Sequence, residues 1–400
     1  MIDFKKLPLW VLLPNLVFAA YGLWQVSQDW MPDLFIYRAG SVLGWQHQSP
    51  YSAAVREMVT RQYPDDFDLQ INCGYFLPPQ AIVLFGPFAA LPWDSARLLY
   101  LILCLVALAF CWYGTLTAFR SKTAVTLSDV PLLLPFLVLL HSVTRMTFDV
   151  GQTTILAAGA IVAGQLAWQA DRKWLSTFLW SMAFVKPHIA LPLLPLAWYL
   201  GGWRRAAMVI AWLAVLNLAA CFLAGSSPLF VIDYLEHLGT AHKTVKFNLV
   251  KENPQIVSWN VLLYAIGGPA INLTIVQTLL GMSLFAALVV LRCVIAKSKP
   301  TPAWAVAVAI TGGLVTCQVL AYEAFLLVLV IPHLMDCLDR GRKVDVYVIT
   351  LLMLLQMPPA NVMAKYGLVY YRPWLVMMIA IWLLARPLTP PDATAHSPRA

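Results

Sequence analysis

Leu279-Leu280-Gly281-Met282-Ser283-Leu284-Phe285-Ala286-Ala287-Leu288-Val289-Val290-Leu291, inside the run Ile271–Ala296, decides the fold class. No charged residue occurs from Ile271 until Arg292. A helix crosses about 30 Å of hydrocarbon with roughly 20 apolar residues, so this run is long enough to span a bilayer. Runs of the same character lie on both sides: Leu7–Val26, Phe76–Leu91, Arg97–Ala118, Val130–Met146, Ile155–Gln169, Trp174–Leu200, Ala206–Ala224, Ala303–Leu320, Phe325–Leu338, Val344–Met357 and Trp374–Ala385. The pattern predicts an all-α polytopic membrane protein of about 12 transmembrane helices, forming one integral membrane domain over residues 1–400. Strands of a β-barrel would read instead as short alternating segments.

Composition supports the same class. Hydrophobic residues make up 60% of the 400 and charged residues 12%, against about 25% charged in a soluble globular chain. Mean hydropathy is +0.73. The net charge of +8 resides mostly at the ends of apolar runs. Bilayer anchoring accounts for it there, so membrane lipids are expected partners and nucleic acid is not. Seven cysteines are scattered without a CxxC or a Cys/His cluster, which argues against a disulfide framework and a zinc site. Met1–Lys6 followed by Leu7–Val26 has the outline of a signal peptide, but the apolar run is long and contains Pro14. An uncleaved anchor is expected.

Basic residues beside the runs orient the chain. Lys5–Lys6, Arg204–Arg205, Lys297–Lys299, Arg340–Lys343 and the tail from Arg386 all fall on the cytoplasmic side of a cell inner (plasma) membrane with an even number of crossings. Arg120–Lys122 and Arg172–Lys173 then fall outside, against the rule, and spacing alone does not resolve the conflict. Residues 27–74 and 225–258 are too polar to span and too long for turns. Both are placed on the extracytoplasmic face, where long connectors carry function. Residues 388–400 read as a Pro-rich, disordered cytoplasmic tail.

Ionisable groups in or beside hydrocarbon are costly and mark functional sites. Asp33 follows the first run, in Met31–Gly40. With Pro32 at a tolerated first position, a helix here aligns Asp33, Tyr37 and Gly40 on one face. An acid with apolar neighbours holds a raised pKa and can act as a general base, whereas spacing alone favours the plainer role of a helix cap. Lys186 sits in the middle of Trp174–Leu200, beside Pro187 and His188. A lysine at such a break suits a phosphate or a carboxylate better than snorkelling to a distant interface. Glu323, after Tyr322, either faces the same cavity or marks a turn between helices. Turn chemistry alone accounts for Asp149 with Gly151 and Gln152. In residues 225–258, Asp233, Glu236, His237, His242, Lys243, Lys246 and Lys251 cluster. The lysines suit anionic lipid or a lipid phosphate, and a surface amphipathic helix is the commoner explanation. The histidines lack metal-ligand spacing, so no metal or other cofactor is expected, with a divalent ion left open.

Taken together, these segments resemble the membrane-embedded GT-C glycosyltransferases, most closely glycosyltransferase family 87, which includes polyprenol-phosphate-mannose-dependent mannosyltransferases. Asp33–Gly40 closing at Ser49-Pro50-Tyr51 resembles the family's first-loop pattern. Tyr75-Phe76-Leu77-Pro78-Pro79 resembles its second-helix entry, and Gly151-Gln152 followed by Val185-Lys186-Pro187 its Gly-Gln and Lys-Pro pair. Tyr322-Glu323 resembles a late helix that often carries Tyr-Asp or His-Tyr, so the glutamate is a departure.

The resemblance implies a GT-C-like bundle with two long extracytoplasmic loops. It also implies transfer of a sugar, with mannose the best-known case, from a polyprenyl-phosphate donor to a lipid or glycan acceptor with inversion. Asp33 would occupy the catalytic position as general base. Lys186 would meet the donor phosphate, with Arg38, His188, Lys243 and Lys246 assisting. Tyr37, Tyr75, Gln152, Tyr322 and Glu323 would line the cavity. A transporter or flippase of a lipid-linked sugar would also want intramembrane charges, but it would more naturally show internal repeats and short loops. A non-catalytic scaffold leaves Lys186 and Glu323 without a reason. No residue selects the sugar, the acceptor or an oligomeric state.

Overall fold

The computed structural model describes residues 9–28, 30–119, 143–227, 230–244, 256–267, 274–296, 300–317, 319–339 and 371–385. Among these residues the regular structure is helical, with one isolated antiparallel bridge between Ile256 and Leu320. Among the described residues, three helices are long and apolar enough to cross a membrane: Trp93–Trp112, Leu193–Leu223 and Val276–Ala296. A further candidate is a bent pair, Val143–Val150 and Thr154–Gln169, which meet at 113°. Leu16–Ser27, Pro302–Thr316 and Tyr371–Ala385 are shorter apolar helices. The all-α membrane class is established by these elements. Val344–Met357, the Arg120–Lys122 pair, most of Val130–Met146 and the tail 388–400 lie outside the described residues.

The two long segments read as loops are built on helices. After α1 (Leu9–Ser27), the first carries α2 (Pro32–Trp45), α3 (Ala54–Gln62) and α4 (Phe67–Asn72). Helix α2 is buried on most sides, through Leu34, Phe35, Ile36, Tyr37, Ala39, Gly40 and Leu43. The second segment carries a single described helix, residues Phe230–Thr244. Phe76–Leu91, expected as a crossing, is instead two short helices, α5 (Gln80–Leu84) and α6 (Gly86–Ala89). Pro78, Pro79 and Pro87 each remove a backbone donor and fix φ, which shortens the helical stretches between them. Beyond them, α7 (Trp93–Ala109) runs on through a π turn, Phe110–Gly114, into α8 (Thr115–Phe119).

Trp174–Leu200, expected as one crossing, is two limbs. After α9 (Val143–Val150) and α10 (Thr154–Gln169), helix α11 (Lys173–Met182) tightens into a 3-10 turn, Ala183–Val185, and stops at Lys186. Then α12 (Pro187–Ala190) leads into α13 (Leu193–Leu223), which breaks again at Gly202, where φ is 74° and ψ 178°. Arg205, fully buried, reports the direction of the limbs. It donates to Gln165 Oε1 (2.8 Å) and Ser176 Oγ (3.3 Å), and lies 4.1 Å from the ring centre of Trp180 and 4.6 Å from that of Trp168. The end of α10, the start of α11 and the bend at Gly202 therefore share one end of the bundle. Lys186 lies at the other.

That turn-back resolves part of the charge conflict. Arg172 and Lys173 lie at the same end as Arg204 and Arg205, and Tyr199 at this end donates to the carbonyl of Pro300, which follows the Lys297–Lys299 run. Exposed Trp174, Trp198 and Trp203 sit among these charges, the aromatic and basic mix of a membrane interface. The run read as one crossing instead goes out to Lys186 and turns back to the same end of the bundle.

Candidate active site

Asp33 enters from the first turn of α2. Pro32 starts that helix, Met31 occupies the cap position, and no side chain caps it. The cap role that spacing favoured is therefore not what Asp33 does. Tyr37 lies one turn on and Gly40 almost another, along the same face. The ring of buried Tyr75 rests on Gly40 so closely that a Cβ there would fall 2.1 Å from its Cδ2. This contact brings Tyr75 onto the Asp33 face of α2. The Asp33 side chain is half-buried, while Tyr37 and Tyr75 are buried.

Gln152 enters from the bend between α9 and α10. Gly151, with φ +77°, ends α9, and the N–H groups of Gly151 and Gln152 both donate to the carbonyl of Thr147, at 3.1 and 2.9 Å. This is the left-handed glycine stop common at helix C-termini. Buried Tyr100, from α7, donates its hydroxyl to the Gln152 carbonyl at 2.7 Å. The freed backbone is thereby satisfied inside protein, as an interrupted membrane helix requires.

Lys186 enters from the break ahead of Pro187, a residue that has no N–H to continue the helix. Gln80, the first residue of α5, donates to the carbonyl of Phe184 at 3.0 Å and holds the break shut. Glu323 enters from a fourth interruption. There the helix Pro302–Thr316 ends, Val257 N–H donates to Val319 O at 2.8 Å, and a 3-10 stretch opens at Ala321.

These four interruptions converge. Lys186 Nζ donates to Glu323 Oε1 at 2.7 Å and to Gln152 Oε1 at 2.8 Å, and Gln152 Nε2 donates to Asp33 Oδ2. Lys186 and Glu323 are each 3% exposed, so the ion pair is dry. The ammonium also stands 4.9 Å from the ring centre of Tyr322, a favourable cation–π placement. Because an ammonium only donates, it fixes the Gln152 amide with oxygen towards Lys186 and nitrogen towards Asp33. The Tyr37 hydroxyl faces the same amide. Asp33, Gln152, Lys186, Glu323, Tyr37 and Tyr322 thus form one cluster.

Burial pushes the Asp33 carboxyl up to about 6, and the Gln152 hydrogen bond and the Lys186 charge hold it from rising further. The group is half-charged near pH 6 and mostly ionised at neutrality, so a carboxylate able to accept a proton is present there. Burial pushes the Tyr37 phenol well above its ordinary value, and the Asp33 and Glu323 charges add to this, so it stays a neutral donor. Lys186 commits two of its three N–H groups to Gln152 and Glu323, and among the described residues the third has no hydrogen-bond acceptor.

One expected member, Arg38, stands apart. Arg38 donates from Nε to Phe88 O (3.1 Å) and from Nη2 to Leu91 O (2.8 Å), closing the end of α6. The side chains of His188 and Lys243, and all of Lys246, lie outside the described residues. On α14 (Phe230–Thr244), Phe230, Tyr234 and His237 pack around Tyr51, which also meets Tyr75, so the two long segments join through aromatic rings. Sequence reasoning missed Tyr100 and Gln80, which secure two of the interruptions. Their signal was a polar group inside or at the edge of an apolar run. Among the described residues, no group of three or more His, Cys, Asp or Glu side chains is placed to hold a metal ion.

No curated protein and no solved structure matches the chain. The model of glycosyltransferase family 87 matches residues 75–358, a stretch that contains Gln152, Lys186, Tyr322 and Glu323 and begins after Asp33. With most of the 400 residues inside that match, the chain belongs to glycosyltransferase family 87 and is a membrane glycosyltransferase.

Proposed function

We propose that this enzyme moves a sugar from a polyprenyl-phosphate donor to a lipid-linked or glycan acceptor with inversion, at the extracytoplasmic face. The single observation that carries the reading is the hydrogen-bonded chain from Asp33 through Gln152 to Lys186, which sets a base and a cation in one cluster. The acceptor hydroxyl gives its proton to Asp33 as its oxygen attacks the anomeric carbon. The bond from that carbon to the phosphate oxygen breaks on the opposite side, through an oxocarbenium-like state. Polyprenyl phosphate leaves with one more negative charge than the donor carried. The remaining N–H of Lys186 meets that charge, with Tyr322 and Glu323 holding the ammonium in place. His188, Lys243 and Lys246 are the assisting donors, while Tyr37 and Tyr75 line the acceptor side; Arg38, held on the Phe88 and Leu91 carbonyls, is not among them. The step uses no metal, and chelation is expected to leave its rate unchanged.

Two features support the orientation. The basic and aromatic end, with Arg172, Lys173, Arg204 and Trp203, suits the cytoplasmic interface. Gln152 and Arg172 flank opposite ends of α10, whose 16 residues rise about 24 Å. The cluster then faces the other leaflet.

The test uses full-length enzyme in nanodiscs, radiolabelled polyprenyl-phosphate mannose as donor and a membrane glycolipid extract as acceptor source. Asp33→Asn keeps shape and removes the base. Transfer should fall by about 10²- to 10⁴-fold. An Asp33→Asn enzyme as fast as wild type overturns the assignment.

A further inference from the structure

Gln152 lies between the two charged partners of the cluster, and its amide has only one orientation that satisfies both. Its oxygen accepts from Lys186 Nζ at 2.8 Å, and its nitrogen donates to Asp33 Oδ2. The backbone beneath it is fixed from both sides. Gly151 N–H and Gln152 N–H share the Thr147 carbonyl, and Tyr100 holds the Gln152 carbonyl. Gln152 is 5% exposed, so water does not compete for the amide. Among the described residues, Asp33 Oδ1 has no hydrogen-bond partner, and the half-buried carboxyl keeps solvent access.

We infer that Gln152 is a positioning residue that aims the base: one carboxylate oxygen of Asp33 is tied through the amide to Lys186, so that the other faces the acceptor hydroxyl. This rests on the reading of Asp33 as general base and adds a route by which the phosphate-side cation sets the geometry of the proton acceptor. An amide transmits position without adding charge. A carboxylate in its place would bind Lys186 yet repel Asp33, and an apolar side chain would leave the carboxylate free to turn. The groups facing Asp33 are Lys186, Tyr37, Tyr100 and Tyr322, with Glu323 behind Lys186, and all are unchanged in the variants below.

The test is an infrared titration of the full-length protein in nanodiscs, which needs no substrate. The difference between wild type and Asp33→Asn isolates the Asp33 carboxyl band. Gln152→Met removes the amide donor, and the protonation midpoint should rise by about one pH unit or more, the size of one charge-assisted hydrogen bond. Gln152→Glu has the size of the native side chain, keeps the experiment readable where the Met variant fails to fold, and should raise the midpoint further. The acid limb of kcat/KM with polyprenyl-phosphate mannose should move in the same direction. A folded variant with its midpoint within about 0.3 units of wild type, or an Asp33 band that does not titrate, overturns the inference. The two readings fail separately. Unimpaired transfer by Asp33→Asn removes the general base but leaves the infrared shift intact, whereas an unmoved midpoint with transfer lost in Asp33→Asn removes only the positioning role.

Discussion

Gly151 lies against Leu34 so tightly that a Cβ on the glycine would fall 2.6 Å from Leu34 Cβ and 3.0 Å from Leu34 N. The neighbours of these two residues are Gln152 and Asp33. Close approach of the two backbones is therefore what lets a short amide reach a short carboxylate across elements 119 residues apart.

Gly151→Ala tests that approach. The φ of +77° disfavours any residue with a Cβ, and the methyl has no room. Strain and overpacking together should cost about 2 kcal/mol or more. The expected outcome is a lower melting temperature in nanodiscs and a fall in transfer larger than the loss of folded protein explains. An alanine enzyme with wild-type melting and transfer would show that the contact is loose.

Activity and stability should respond to pH in opposite senses through Asp33. The folded carboxyl titrates near about 6, up from 3.8. Between those values the folded chain keeps a proton that the unfolded chain has released. Stability is full at the acid end and is lost as pH rises through about 6. Transfer needs the ionised form, so kcat/KM should fall as pH drops below that value. At pH 7 Asp33→Asn should be about 10²- to 10⁴-fold slower yet more stable, by up to about 3 kcal/mol. Paired melts and rate profiles of the two proteins check both signs.

Removing one partner of the dry Lys186–Glu323 pair leaves a buried charge without its ion-pair partner. Glu323→Leu alone, or Lys186→Met alone, should cost about 3–5 kcal/mol. The double replacement should recover most of that loss because neither charge remains, while transfer stays lost because the cation is gone. Denaturation of the three variants gives the coupling, and donor turnover separates stability from function. Full transfer by the folded double variant would remove Lys186 from the donor side.

Arg205→Lys probes the opposite end of the bundle. The guanidinium bonds Gln165 and Ser176 while stacking against Trp168 and Trp180. A point charge on a flexible stem cannot keep the planar contacts. Stability should drop by about 1–2 kcal/mol, with the KM for polyprenyl-phosphate mannose unchanged. A large rise in KM would place this arginine in donor binding.

Asp33, Lys186 and Glu323 were legible one at a time because a charge beside or within apolar sequence stands out. Pro187 marked the interruption at Lys186, and Pro32 marked the start of α2. The helical character of residues 27–74 was only partly legible, since spacing extended to Asp33–Gly40 but not to α3 and α4. Trp174–Leu200 misled by its length, because hydropathy registers how much apolar chain is present and not whether it turns back. Gln152 looked like ordinary turn chemistry, since an uncharged amide carries no burial cost large enough to single it out in a sequence.

The sequence by itself determined the solvent. A chain this apolar, with its charges at the ends of runs, has to satisfy its backbone in helices within a bilayer. It also placed local breakers at three of the four breaks, Pro32, Gly151 and Pro187, because proline and left-handed glycine act locally. Only the tertiary structure decided that four separate breaks meet, joining Asp33 to Gln152, Lys186 and Glu323. Hydrogen bonds and ion pairs act over about 3 Å, whereas residues 33 and 323 are separated by most of the chain, and packing alone brings them together.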